Sequence, residues 1–111
     1  MASRIKEAIN IIKNNDRGGY TVPTNRLYPY QWNWDSGFTA LGIWHFSKWR
    51  AWLEITSLLD AQWEDGMVPH IIFRRNDPDY FPGPDVWKTN TEPPTSGHSQ
   101  PPVLALSLIH I

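Results

Sequence analysis

Apolar residues at Ile5, Ala8, Ile9 and Ile12 recur with the spacing of one face of an α-helix. Ser3 is placed to cap this first helix. The run Asn14-Asn15-Asp16-Arg17-Gly18-Gly19 ends it, because Asn and Gly tolerate left-handed backbone. A loop punctuated by Pro23 and Pro29 leads to about Trp34. A second helix is expected from about Gly37 to Phe46, capped by Asp35 or Ser36. It carries Phe38, Leu41, Ile43, Trp44 and Phe46, is apolar nearly all round, and should be buried on most sides, with His45 a core histidine. A third helix is expected from about Lys48 to Gln62. Trp52, Ile55 and Leu59 would face inward, and Arg50, Glu54 and Ser57 would face solvent.

From Trp63 to Pro102 no helical pattern is present. The segment holds eight of the ten prolines, and only Val68–Phe73 reads as a short strand. Loops this long are either functional or disordered. Disordered segments are poor in aromatics, whereas Phe73, Tyr80, Phe81 and Trp87 are spread along this one. An ordered, functional loop is therefore expected. Pro101-Pro102 then open a fourth helix, since proline is tolerated in a first turn. The pattern gives an all-α chain with long loops rich in proline and aromatic residues.

Composition narrows the function. The 111 residues suffice for one small domain, and the 14% aromatic content, with seven Trp, is high. The net charge is -1 and the basic residues are scattered, so no stripe tracks a phosphate backbone and nucleic acid is excluded as a partner. No apolar run reaches membrane-spanning length. Residues 1–13 are amphipathic, with Arg4, Lys6 and Glu7, and lack the features of a secretory signal. With no cysteine there is no disulfide, thiolate metal site or Cys nucleophile. A cytoplasmic location is the expectation. The four His show no metal-ligand spacing with nearby carboxylates, so neither metal nor other cofactor is expected. Nothing in the sequence fixes an oligomeric state.

The chemistry concentrates in Tyr28-Pro29-Tyr30-Gln31-Trp32-Asn33-Trp34-Asp35-Ser36-Gly37. Large rings offer flat apolar faces. Amides and a carboxylate offer hydrogen-bond donors and acceptors. Together they suit a ligand with CH faces and many hydroxyls, which describes a sugar. Asp35 also reads as a plain helix cap, and the Trp residues as core. Glycoside hydrolysis needs two carboxylates, about 5–5.5 Å apart for retention and about 6.5–9.5 Å for inversion. The loop-placed candidates Asp35, Glu64, Asp65, Asp77, Asp79, Asp85 and Glu92 show no spacing that selects a pair. Asp35 could bind hydroxyls rather than move protons. His70 could bond a sugar hydroxyl or serve as a structural donor. Arg74-Arg75 reads as a solvated pair or as an anion contact, and Asp60, Glu64 and Asp65 as a solvated face. His98 has no partner spacing, and Ser96-Gly97-His98-Ser99 lacks the glycine pattern of a nucleophile elbow.

Five blocks in order carry a family resemblance: Asn15–Pro23, Tyr28–Gly37, Gln62-Trp63-Glu64-Asp65-Gly66-Met67-Val68-Pro69-His70, Tyr80–Trp87, and Pro94-Thr95-Ser96-Gly97-His98-Ser99-Gln100-Pro101-Pro102. Together they resemble the mannosylglycerate and glucosylglycerate hydrolases of glycoside hydrolase family 63, in the six-hairpin glycosidase group. The resemblance implies the N-terminal part of an (α/α)6 toroid and an inverting, metal-free α-glycosidase acting on a small glycosylated organic acid. By resemblance Tyr28, Trp34, Asp35, His70 and Gln100 would line a sugar subsite. Tyr80 and Trp87 would sit on a mobile loop near the glycerate. The family's general acid and general base lie downstream of this region, so no catalytic residue is assigned here and no hydrolysis is expected from this chain alone. The remaining alternatives are a carbohydrate-binding module without chemistry and a helical interaction module.

The final residues Leu106-Ser107-Leu108-Ile109-His110-Ile111 read as a frame translation of a transposon end sequence, against the alternative of six ordinary residues finishing a helix. The organisation expected is therefore a toroid fragment over residues 1–105 and a non-native tail over 106–111.

Overall fold

Helix α2 (Asn33–Trp44) packs against α3 (Lys48–Leu59) on one side and α5 (Val103–His110) on the other in the computed structural model, which describes residues 2–111. Helix α1 (Ala2–Asn15) precedes them. A two-residue strand, β1 (Gln31–Trp32), leads directly into α2. It pairs antiparallel with β2 (Ile71–Ile72), placing Gln31 opposite Ile72 and Trp32 opposite Ile71. The single helical turn α4 (Pro84–Trp87) lies within the proline-rich segment.

The small residues of α2 set its packing distance. A Cβ on Gly37 would come within 3.1–3.3 Å of Val103 and Leu104, two of these three contacts being to α5 backbone. Glycine is what allows the two helices to approach this closely. Ala40, Ile55, Leu58, Ala61, Ile72 and Leu104 form one apolar core between α2, α3, β2 and α5. Tyr30, Trp32, Ile71 and Phe73 form a second, with Tyr80 and Trp87 packed against it. Successive strand residues point to opposite faces, so Ile72 enters the first core and Ile71 the second.

The proline-rich segment is ordered, as its aromatics suggested. His70 N–H donates to His98 O at 2.8 Å, Phe73 N–H to Pro94 O at 2.9 Å and Ser96 N–H to Ile71 O at 3.1 Å. These bonds lay residues 94–98 alongside β2. Helix α5 runs on through Leu106–His110, and Ser107 is buried with its hydroxyl donating to Gly37 O.

Several sequence expectations are corrected. Ser3 lies inside α1 rather than capping it, and no residue of α1 is buried. Helix α2 starts at Asn33, so Asp35 and Ser36 sit in its first turn and neither caps it. Its caps come from the distant loop: Asn33 N–H donates to His70 O at 2.9 Å and Trp34 N–H to Gln100 Oε1 at 2.9 Å. The cap that a local pattern reveals was therefore not needed. Helix α2 is buried along the line Asn33, Ser36, Gly37, Ala40 and Ile43 only. Phe38 is exposed, and His45 is an exposed C-terminal residue rather than a core one.

Helix α3 is rotated from the expected orientation and ends at Leu59 rather than Gln62. Arg50 and Glu54 are buried, and Trp52 is exposed. A charged pair can occupy the interior when each charge is paired and hydrogen-bonded. Arg50 meets that condition. Its Nε and Nη2 bond Asp16 at 3.0 and 3.1 Å, and its Nη1 bonds Glu54 at 2.9 Å. Arg74 is likewise no solvated arginine: its guanidinium donates twice to Gln31 Oε1, at 3.2 and 2.8 Å. Arg75 is exposed and pairs with Asp77.

Candidate active site

The junction of β1 and α2 presents one edge to a hollow of about 350 Å³, lined by Pro23, Thr24, Tyr28, Trp32, Trp34, Asp35 and Gln100. That volume falls within the range of small-molecule sites, about 300–1,000 Å³. Four of the seven residues singled out from the sequence thus converge: Tyr28, Trp34, Asp35 and Gln100. Trp34 is 41% exposed and Tyr28 is 47% exposed, so both rings reach the opening. Trp32, only 7% exposed, meets Tyr28 edge-on at 5.4 Å.

Polar groups are fixed around these rings. Gln100 Oε1 is occupied by the Trp34 N–H, which orients the amide and leaves Nε2 as the free donor among the described residues. Asp35 supplies the acceptor. Burial pushes its carboxyl above its ordinary range, offset in part by its own backbone amide and by the Trp34 side chain. Its place in the first turn of α2 sets a negative group at the positive end of the helix dipole. An exposed ring face beside one oriented donor and one acceptor can hold a compact polyhydroxylated ligand by stacking and paired hydrogen bonds.

The other three candidates lie around this hollow rather than on its lining. Tyr80 packs edge-on against Trp32 at 5.7 Å and against Tyr30 at 5.1 Å, so it supports the wall from behind Trp32. His70 and Trp87 form a separate cluster with His98. The two imidazoles stack at 4.0 Å with planes 7° apart, and Trp87 meets His70 at 5.5 Å and His98 at 5.0 Å. His70 Nδ1 and Trp87 Nε1 are buried without a protein partner among the described residues. Burial, reinforced by His98, pulls the His70 imidazole down to about 4, so it is neutral near pH 7.

Sequence reading missed Pro23, Thr24 and Trp32 as lining residues and His98 as a partner of His70. Trp32 lay within the flagged stretch, and its alternation with Gln31 and Asn33 was the available signal. His98 gave none, since the bonds between residues 70 and 98 are long-range. A larger hollow of about 590 Å³ lies elsewhere, lined by Asp60, Trp63, Glu64, Asp65, Glu92 and neighbours. Its carboxylates repel one another and no basic side chain lines it. The smaller hollow, with its exposed rings and oriented amide, is the better-formed site.

Comparison with known proteins places the chain and its fold. The family model described as "Mannosylglycerate hydrolase MGH1-like glycoside hydrolase domain" matches residues 28–111. Mannosylglycerate hydrolase MGH1 of Selaginella moellendorffii is 49% identical over 108 residues, covering 96% of this chain and 22% of the relative. A mannosylglycerate hydrolase of Thermus thermophilus is 52% identical over 103 residues, covering 89% and 25% respectively. A glucosylglycerate hydrolase of Mycolicibacterium hassiacum is 42% identical over 111 residues, covering 94% and 25%. The crystal structure of a GH63 mannosylglycerate hydrolase from Thermus thermophilus in complex with Tris superposes with a TM-score of 0.90 at 49% identity, over 95% of this chain and 25% of that one. The same enzyme with Tris and D-glycerate gives 0.89. The chain spans about a quarter of the length of these relatives. Its helices match the N-terminal part of that α/α toroid, as the sequence suggested. The chain belongs to the MGH1-like mannosylglycerate hydrolase family of glycoside hydrolases.

Proposed function

We propose that this chain forms the sugar-holding wall of an inverting α-glycosidase that hydrolyses a small glycosylated organic acid such as mannosylglycerate or glucosylglycerate. The observation that carries the reading is the convergence of Trp34, Asp35, Tyr28 and Gln100 on one hollow. Trp34 stacks on a pyranose face. Asp35 accepts hydroxyl hydrogens, and Gln100 Nε2 donates to a hydroxyl oxygen. Tyr80 backs the ring wall through Trp32, and the His70, Trp87 and His98 cluster flanks the hollow on the side assigned to the glycerate rather than touching the saccharide. Structures of the Thermus thermophilus relative with glucose and with D-glycerate support that pairing of ligands.

Residues 1–105 supply binding groups, and the general acid and base belong to other parts of the toroid. No metal or cofactor enters the reaction. Calorimetric titration with glucose, together with an assay for mannose release from mannosylglycerate, tests this. The expected result is saturable glucose binding, lost in Trp34→Ala, with no turnover. Mannose release by this chain, or equal binding by Trp34→Ala, would contradict the proposal.

A further inference from the structure

The reverse side of the β1–α2 junction is held by a continuous buried hydrogen-bond chain. Ser36, in the first turn of α2, is 1% exposed, and Glu54 on α3 is fully buried. The Ser36 hydroxyl donates to Glu54 Oε1 at 2.6 Å and accepts from Gln31 Nε2 at 3.2 Å. Gln31 Nε2 also reaches Glu54 O at 3.3 Å, and Arg74 saturates Gln31 Oε1. Glu54 takes three further donors: Thr21 N–H at 3.1 Å, Thr21 Oγ1 at 2.9 Å and Arg50 Nη1 at 2.9 Å.

This arrangement leaves the Ser36 hydroxyl one proton orientation. Arg74 occupies the Gln31 carbonyl, so the Gln31 amide must present N–H to Ser36, and Ser36 must donate to Glu54. A buried network with every member satisfied specifies one conformation. The residues it fixes are sequence neighbours of the hollow. Gln31 precedes Trp32, and Ser36 follows Asp35. The side of the junction that carries Trp32, Trp34 and Asp35 is free to meet a ligand because its opposite side is bound to α3.

We propose that Ser36 and Glu54 are positioning residues for the hollow: their bond locks the first turn of α2 and so sets the Trp34 ring and the Asp35 carboxylate relative to Gln100. The part of this concerning ligand affinity rests on the saccharide reading above. The part concerning position does not.

Amide hydrogen exchange and glucose titration of the same chain separate the two. In Ser36→Ala the Trp34 amide should exchange about tenfold faster, the loss of roughly one hydrogen bond, while the Leu58 amide in α3 keeps its rate. Glucose affinity should fall by a similar factor at a temperature where the variant is folded. Glu54→Gln keeps an acceptor for Ser36 but loses the charge facing Arg50, so it should speed Trp34 and Leu58 together and marks what a general loss of stability looks like. Parallel acceleration of Trp34 and Leu58 in Ser36→Ala would show a role in overall stability only and overturn the proposal. Unchanged exchange at Trp34 would overturn it too. Faster exchange at Trp34 in a protein that never binds glucose would uphold the positioning role and instead sink the saccharide reading. Should Ser36→Ala not fold, the unaltered chain decides. Its Trp34 amide should then share the opening free energy of Ile55, and exchange much faster than Ile55 would count against the lock.

Discussion

The side-chain oxygen of Gln100 accepts the backbone N–H of Trp34 at 2.9 Å, across 66 positions of chain. One amide thus caps α2 with its oxygen and faces the hollow with its nitrogen. The two roles can be separated. Gln100→Glu keeps the acceptor and removes the donor, so the melting temperature should hold while glucose affinity drops. Gln100→Ala removes both, and loss of a helix cap costs about 0.5–2 kcal/mol. Urea unfolding and calorimetric titration of the two variants check this. Equal stability loss in both would contradict the capping role.

Arg50 joins the end of α1 to α3 through Asp16 and Glu54. Removing it leaves Glu54 buried and short of a counter-charge, a change worth about 3–5 kcal/mol. Arg50→Ala should therefore destabilise the chain far more than Arg75→Ala, whose pair with Asp77 is exposed on the arginine side. Chemical denaturation of the two variants measures the difference. Similar losses would contradict the account of the network.

Gly37 admits no side chain without displacing α5. Gly37→Ala would ordinarily favour a helix. Here overpacking against backbone should outweigh that gain and destabilise by about 1–3 kcal/mol. A raised melting temperature in Gly37→Ala would show that α2 and α5 are further apart than described.

His70 gives a pH dependence of defined sign. An unfolded imidazole takes its proton near 6.5, whereas the folded one, buried and stacked on His98, takes it at about 4. Above 6.5 neither state is protonated and the contribution is constant. As pH falls from 6.5 towards 4, the unfolded chain takes up a proton that the folded chain refuses, and stability declines. His70→Phe should lose less stability over that interval than the unaltered chain. Parallel curves from urea titrations at each pH would contradict the assignment. Ring NMR of His70 should show it neutral at pH 6.

Much of the fold was legible because it follows from local pattern. The Ile5–Ile12 face, the glycine stop after α1 and the proline-opened α5 are all properties of neighbouring residues. The convergence of Tyr28, Trp34 and Asp35 was legible for the same reason, since they lie within eight residues. What escaped depended on partners distant in sequence. Arg50 and Glu54 read as solvent-facing because charges usually are, and only Asp16, Thr21 and Ser36 make their burial tolerable. The start of α2 was misplaced because its caps are His70 O and the Gln100 side chain. His98 gained its significance only when residues 94–98 were laid against β2.

The central claim is that a saccharide occupies the hollow at Trp34. The most direct test is a glucose titration of the ¹⁵N-labelled chain followed through its backbone and indole resonances. The expected result is saturable shifts at Tyr28, Trp34, Asp35 and Gln100, with little change around Asp60–Asp65 and Thr89–Pro93. Shifts confined to that second region, or none at Trp34 at saturating glucose, would contradict the account.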